Sequence, residues 1–514
     1  MRADLIKRNL TIMTPRALTT RALPFAIAMI LAVACGKAGN VKYADRYGFL
    51  PENDAKTNSE ALQMCLDGGG KIRVRKPGVY EISRTLLLDS NTDLAFAEGV
   101  VLSKAAEPDG TQARHVFINR GAYSREYDEN ISISGLTLRC NGLDSRSAAD
   151  VTDAQIASPA GTQTDAQTTS SAGTQTTTGT TQSTQPTAPK LDAPLIVGLS
   201  CQLAFFYVKD LNINHMTLLD LPPHDFAIQI CTFENAVVEN VHIEGMKDAV
   251  HFGPGKNFIV RHGIFKTYDD PIALNAHDYT TSNPELGWIE NGLIEDCVDL
   301  DDPENGTTGF FARILAGGWR DWEEGMDIQS SGDAVVSGGR IYRSNGPKVK
   351  VSYASTCRPV HEEGTVTYPD GITWTMSQER NICHSCGVRN VVFRDIRLQK
   401  KRHVALCLHF DHDQYSRSYY PYAEIPVQSN IVFERISVEN EIPALIQSRT
   451  PVDSIILRDS RIGSSEIRLL QAIDAPGMAY DTTLVRLDNV ECDDPDAAVV
   501  SPGRPFKVVR QAAE

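Results

Sequence analysis

Short strands recur along this chain at a regular beat, and each follows one hydropathic formula. Segments 131–138, 208–213, 236–243, 258–265, 288–294, 334–341, 391–398, 431–438, 454–462 and 483–490 share it. They read apolar–x–apolar–charged–Asx or Gly–apolar–x–apolar. Alternation of this kind sends one set of side chains to a core and the other outward. Asn or Asp at the centre suits a left-handed corner between two strands. A fixed period without alternating helices argues against a TIM barrel or a Rossmann fold. It predicts an all-β protein, a right-handed parallel β-helix.

Residues 41–104 read as an entry module. Asn58–Leu66 has helical spacing of apolar residues with a Ser/Asn cap, and Gly68–Gly70 ends it. The alternating strand Lys71–Tyr80 and the short apolar runs Leu86–Leu88, Leu94–Phe96 and Val100–Leu102 follow. A short N-terminal capping helix would protect the exposed edge of the first coil. Residues 41–514 are therefore expected to form one β-helix domain. Within it, 145–192 is Ala/Thr/Gln/Ser/Gly-rich, with Ala160–Thr164 repeated at Ala172–Thr176. That composition cannot build a core and predicts a disordered insertion between coils. Excursions near 276–287, 299–325, 352–387 and 411–429 exceed the beat and are expected to wall a binding site.

The formal charge is −15 over 514 residues, which argues against a nucleic-acid partner. A basic stretch precedes the apolar run Pro24–Ala34, which is too short to span a bilayer stably. Residues 1–34 thus read as an export signal. Simple secretion and lipidation of Cys35 are both open, so the chain is expected to be secreted, periplasmic or an outer-membrane lipoprotein. Any membrane attachment would come through that lipid. There are 11 cysteines. Cys383 and Cys386 form a lone Cys-x-x-Cys, better suited to a local disulfide than to zinc. Cys201, Cys231, Cys297 and Cys407 lie in apolar segments and read as small core residues.

The candidate chemistry lies at Asp248 and the pair Asp269–Asp270. Asp248 precedes Asp269 by 21 positions (269 − 248 = 21), close to the ~20–25 residues of one coil. Adjacent coils stack about 4.8 Å apart, so the three carboxylates would share one patch. Three like charges there cannot all ionise cheaply, so one should hold a proton, giving an acid for a leaving oxygen and a base for water. His277 follows a few residues later. Trp319 and Trp322 lie in a long excursion where aromatic faces can stack on sugars. His409, Asp411 and Asp413 alternate as metal ligands can, without further acidic partners.

Asp269-Asp270-Pro271-Ile272-Ala273-Leu274-Asn275 resembles the Asp-Asp-Cys-Ile-Ala-Ile-Asn/Lys element of glycoside hydrolase family 28, the polygalacturonase-like β-helix enzymes. The preceding Asp248 falls at that family's usual offset, and the entry module looks like its N-terminal cap. The resemblance implies an inverting hydrolysis without a cofactor or metal. Asp269 would be the general acid, and Asp248 and Asp270 would position and deprotonate water. Glu323–Ser331 has a frame similar to the family's Gly-His-Gly element, with Glu324 in the histidine's place. Lys348-Val349-Lys350 looks like its basic element and would bind an acidic sugar or a ring oxygen. Asn275, His277, Glu324, Lys348, Lys350, Trp319 and Trp322 are thus the candidate substrate-binding residues. The long excursions favour a closed, exo-type pocket on a carbohydrate substrate. A polysaccharide lyase on the same fold and a non-catalytic surface adhesin are the alternatives.

Overall fold

A computed structural model describes residues 41–143, 201–276, 285–304, 306–320, 381–409, 427–450, 452–470, 483–501 and 506–511. It also describes short strands between 328 and 376. Backbone alone is described for 285–286, 317–320, 409 and the strands between 328 and 386. The insertion expected at 145–192, the export signal and the excursion at 411–426 lie outside the described residues.

Among the described residues the alternating segments other than 334–341 pair in parallel, coil upon coil, in one 26-stranded sheet system: the right-handed parallel β-helix that the periodicity predicts. One inward column runs Leu203, Ile228, Val250, Ile272, Ala312, Leu406, Ile446 and Ile467, each in register with the next. All eight are fully buried. Burial of each large aliphatic side chain stabilises the coil by about 1.5–3 kcal/mol, which makes the column a continuous core. A helix at Ala55–Leu66 closes the N-terminal end and buries Ala61, Leu62, Cys65 and Leu66. Its cap is Asp54, whose carboxylate accepts from Thr57 N at 2.7 Å. The expected Ser/Asn cap is displaced one turn inward. Ser59 is buried, donating to Ala55 O and accepting from Ser83 N, so it ties the helix to the sheet.

The corners are set by left-handed residues, as their Asn and Asp content predicts. Asp210, Asn235, Asn257, Asn291, Asn390 and Asn430 all have φ between 51° and 62°. Each asparagine amide donates to the residue one coil before it, at 2.9–3.2 Å. The ladder passes unbroken from Asn291 to Asn390, 99 residues later. A long excursion therefore leaves the helix and returns to the same corner. Asn291 both donates to Asn257 and accepts from Asn390. Asn291→Ala should cost about 2–3 kcal/mol, from two lost hydrogen bonds and an unfavourable left-handed alanine. Asn291→Gly, which keeps the backbone conformation, should cost about 1–2 kcal/mol. Urea denaturation midpoints would check both, and equal losses would mean that the corner conformation is not what Asn291 supports.

The excursion corrects two expectations. Segment 334–341 is not a coil: Ala334–Ser337 and Arg340–Arg343 form an antiparallel hairpin, with Val336 opposite Ile341. A hairpin strand and a coil strand share the apolar–x–apolar pattern, and only the pairing partner separates them. Nor are 299–325 and 352–387 independent loops. The chain leaves the main sheet after Leu315, rejoins it at Val388, and builds small antiparallel sheets between. Gly317–Arg320 pairs with Asn381–Cys386, which in turn pairs with Thr356–Val360. Cys201, Cys231, Cys297 and Cys407 are buried, as expected of small core residues.

Candidate active site

The aspartates sit in the bends that lead into two stacked strands, Val250–Phe252 and Ile272–Asn275. Val250 pairs with Ile272, so one coil here takes 22 residues (272 − 250 = 22). Running that register two places upstream stacks Asp248 on Asp270, and Lys247 on Asp269. The backbone agrees: Ala249 N donates to Asp270 O at 3.0 Å. The 21-residue offset thus falls one short of the coil, and the direct neighbour of Asp248 is the second aspartate of the pair. All three still converge, with one carboxylate oxygen from each within 4.8 Å of the others. The next coil carries Gly309 and Phe310 beneath Asp269 and Asp270. Ile272 N donates to Phe311 O, and Phe310 N donates to Asp270 Oδ1 at 2.6 Å.

Two charges 4.8 Å apart repel by roughly 3.5 kcal/mol at an effective dielectric of ~20. Three carboxylates therefore cannot all stay ionised without compensation. Lys247 supplies part of it, with its ammonium against Asp269 Oδ2 and 3.5 Å from Asp248 Oδ1. Burial works against the Lys247 charge, but Asp248 and Asp269 outweigh it and hold the amine protonated, with its pKa raised. Arg313 adds a second positive charge from the outer face of Ala312–Leu315, one coil below Ala273. Its field reaches all three carboxylates.

The three carboxyls separate in proton affinity. Burial raises Asp248, but Lys247, a hydrogen bond from His251 and Arg313 overcome it and bring its pKa down to about 2. Asp269 is raised by burial and by the charge of Asp248, against the pull of Lys247. Asp270 is raised furthest, by burial and then by both neighbouring carboxylates. The cluster thus keeps Asp248 ionised and holds a proton on the Asp269–Asp270 pair, a property of the pair rather than of either member. Access separates them as well: the Asp269 side chain is 20% exposed and that of Asp248 only 5%.

His251 aligns Asp248. Its Nδ1 lies 2.9 Å from Asp248 Oδ2 and its ring stacks on Phe226 at 4.4 Å between centroids. Its Nε2 lies 3.3 Å from Asn275 Nδ2. Asn275 is buried, so its expected contact with substrate is corrected to a supporting contact with His251. A divalent cation could be held by Asp248, Asp269 and Asp270, but the ammonium of Lys247 already lies between two of them.

His277, Trp322, Glu324 and Lys348 lie outside the described residues. The coil beneath the aspartate pair is Phe310–Leu315, because Ile272 pairs with Ala312. Trp319 falls on an antiparallel strand opposite His384, outside the main sheet. Lys350 falls on a two-residue strand paired with Glu285–Leu286, again outside the main coils. Sequence reasoning gave no role to Lys247, His251, Gly309 or Arg313. The first two lie within three residues of Asp248, and that proximity was a usable signal. Arg313 comes 43 residues after Asp270 (313 − 270 = 43), across an excursion that hides any period.

Neither a protein-family model nor a curated protein sequence matches this chain. Among solved structures, a family 28 exopolygalacturonase of Yersinia enterocolitica is similar at 14% identity and a TM-score of 0.43, over 92% of this chain and 78% of that one. A polygalacturonase of Erwinia carotovora is similar at 12% identity and a TM-score of 0.42, over 89% and 95%. PfbA, a surface adhesin of Streptococcus pneumoniae, is similar at 11% identity and a TM-score of 0.36, over 92% and 90%. Hydrolases and an adhesin are thus both among the neighbours, and the chemistry of this chain rests on its own residues.

Proposed function

We propose that this chain is an exported glycoside hydrolase that cleaves a polysaccharide or oligosaccharide by direct attack of water. The observation that carries this reading is the three-aspartate patch, in which an ionised carboxylate touches a proton-holding pair. Asp269, the most accessible, gives its proton to the leaving oxygen. Asp248, oriented by His251, takes a proton from the attacking water. Asp270 passes the pair's shared proton to Asp269 and helps to bind that water. The carboxylate oxygens lie within 4.8 Å of one another, nearer the ~5–5.5 Å of retaining pairs than the ~6.5–9.5 Å of inverting ones, so the stereochemistry of the product is the test of direct attack by water. A single displacement by water inverts the anomeric centre, which proton NMR of the first product would read.

Elimination, as in a lyase, needs an unprotonated basic residue to abstract a proton. Lys247, the amine at the site, is held protonated by its neighbours, which favours hydrolysis. Reducing-sugar release across plant, algal and host glycans, with Asp269→Asn as control, tests the proposal. An unsaturated, ultraviolet-absorbing product lost on chelation would assign a lyase instead. No release from any glycan would leave the adhesin reading.

The proton affinities predict an acid-shifted rate profile. The base must be ionised, so kcat/KM falls as pH drops through the Asp248 value of about 2. The acid must be protonated, so kcat/KM also falls as pH rises through the raised value of the Asp269–Asp270 pair. A stopped assay across pH would show the alkaline limb above the ordinary aspartate value of 3.8. A rate still rising into the alkaline range would rule the pair out as the acid.

A further inference from the structure

A second cluster of charges lies behind the aspartates, and all of its members are buried. Arg402 forms a two-pronged pair with Asp299: Nε donates to Oδ2 at 2.7 Å and Nη2 to Oδ1 at 3.0 Å. Neither side chain reaches solvent. The other guanidinium hydrogens point away from Asp299. Nη1 donates to Thr307 Oγ1 at 3.2 Å and to Thr308 O at 3.0 Å, and Nη2 donates to Thr267 O at 3.3 Å. One planar group thus ties two stretches of backbone that are far apart in sequence.

Both stretches end at the candidate site. Thr267 Oγ1 donates to Asp269 O at 2.9 Å. Thr308 N donates to Tyr268 O at 3.0 Å, and Phe310 N to Asp270 Oδ1 at 2.6 Å. Between them Gly309 passes so close that a Cβ there would lie 2.4 Å from an oxygen of each aspartate. The distance between the 307–310 strap and the 267–270 bend therefore fixes where the two carboxyls point. Arg402 bridges that gap directly, and its planar fork suits the task in a way a lysine ammonium does not.

We infer that Arg402 is a positioning residue for the Asp269–Asp270 pair, anchored on Asp299 and strapping the Thr307–Thr308 backbone onto the Thr267–Asp270 bend. Its effect on rate rests on the proposed hydrolysis, but its effect on the strap does not. Arg402 touches no reacting atom, and its loss should therefore appear in kcat rather than KM.

The test separates positioning from simple stability. Arg402→Met leaves Asp299 buried without its partner and should lower both the thermal midpoint and kcat. Arg402→Met combined with Asp299→Leu removes both charges, and apolar replacement of a whole buried pair is commonly tolerated. The double variant should recover the thermal midpoint while kcat stays about 100-fold down, with KM within about twofold, as expected of a misplaced reacting group. Recovery of kcat together with stability would overturn the inference. Should the apolar pair not fold, Arg402→Lys takes its place: a partial loss of kcat at unchanged KM supports the inference and an unchanged kcat overturns it. Amide exchange at Thr308 and Phe310 gives a readout independent of activity. Faster exchange in the double variant supports the strap, and exchange at the wild-type rate overturns it. If the wild-type chain cleaves no glycan, the proposed function fails and the exchange result still decides the role of Arg402.

Discussion

Asp269→Asn is expected to lower kcat by about 10²–10⁴-fold on the glycan that the wild-type chain cleaves, with KM changed little. Asparagine matches the carboxyl in shape but has no proton to give, so the leaving oxygen must depart as an alkoxide. The fold should be untouched, because Asp269 is the least buried of the three and its main chain keeps its bond from Thr267. Steady-state kinetics with a circular-dichroism melt would establish both points. An activated aryl glycoside sharpens the result, since a phenolate leaves without protonation. On such a substrate the variant should recover most of its rate. A loss as large there as on the natural linkage would show that Asp269 is not the acid.

Gly309→Ala should be nearly as damaging for a different reason. Its φ of +66° is costly for alanine by about 1–2 kcal/mol. The added methyl would also lie 2.4 Å from Asp269 Oδ1 and 2.4 Å from Asp270 Oδ1. No real contact is that short, so the strap must lift or the carboxyls must turn. Displacement of a reacting group by about 1 Å costs on the order of 10²-fold in rate. Gly306 provides the control: its φ is +63°, and an added Cβ would meet nothing within 4 Å. Gly306→Ala should carry the backbone cost and leave kcat within about twofold, since it reaches no reacting group. Equal loss of activity in the two variants would show that close approach to the aspartates is not what Gly309 provides.

The comparison between these glycines and the aspartates shows where a linear reading stops. The aspartates were visible because a regular solenoid turns sequence distance into spatial distance, and no insertion separates Asp248 from Asp270. The same regularity blurred the stacking by one position, because coil length varies and a 21-residue offset lies close to a 22-residue step. Below Asp270 the translation fails. Ala273 pairs with Arg313, 40 residues on, and Arg313 pairs with Cys407, a further 94 residues on (313 − 273 = 40; 407 − 313 = 94). Insertions of arbitrary length leave no period to read. Glu324 and Lys348–Lys350 resemble a family motif only in their local sequence. The coil beneath the pair proved to be Phe310–Leu315, and Lys350 pairs away from the main sheet.

The sequence by itself determined the class of fold, the left-handed corners and the three carboxylates of the site. Each of these is written in local alternation, in a corner residue or in one uninterrupted coil. Tertiary structure alone decided what surrounds those carboxylates. Lys247 reaches across one coil to Asp269, His251 and Asn275 brace Asp248, Arg313 enters from below, and Arg402 draws Thr307 and Thr308 onto the bend. The physical reason is that proton affinity depends on burial and on charges within a few ångströms, whatever their separation along the chain. A spacing can bring three aspartates together, but only the folded surroundings make one of them a base and leave a proton on the other two.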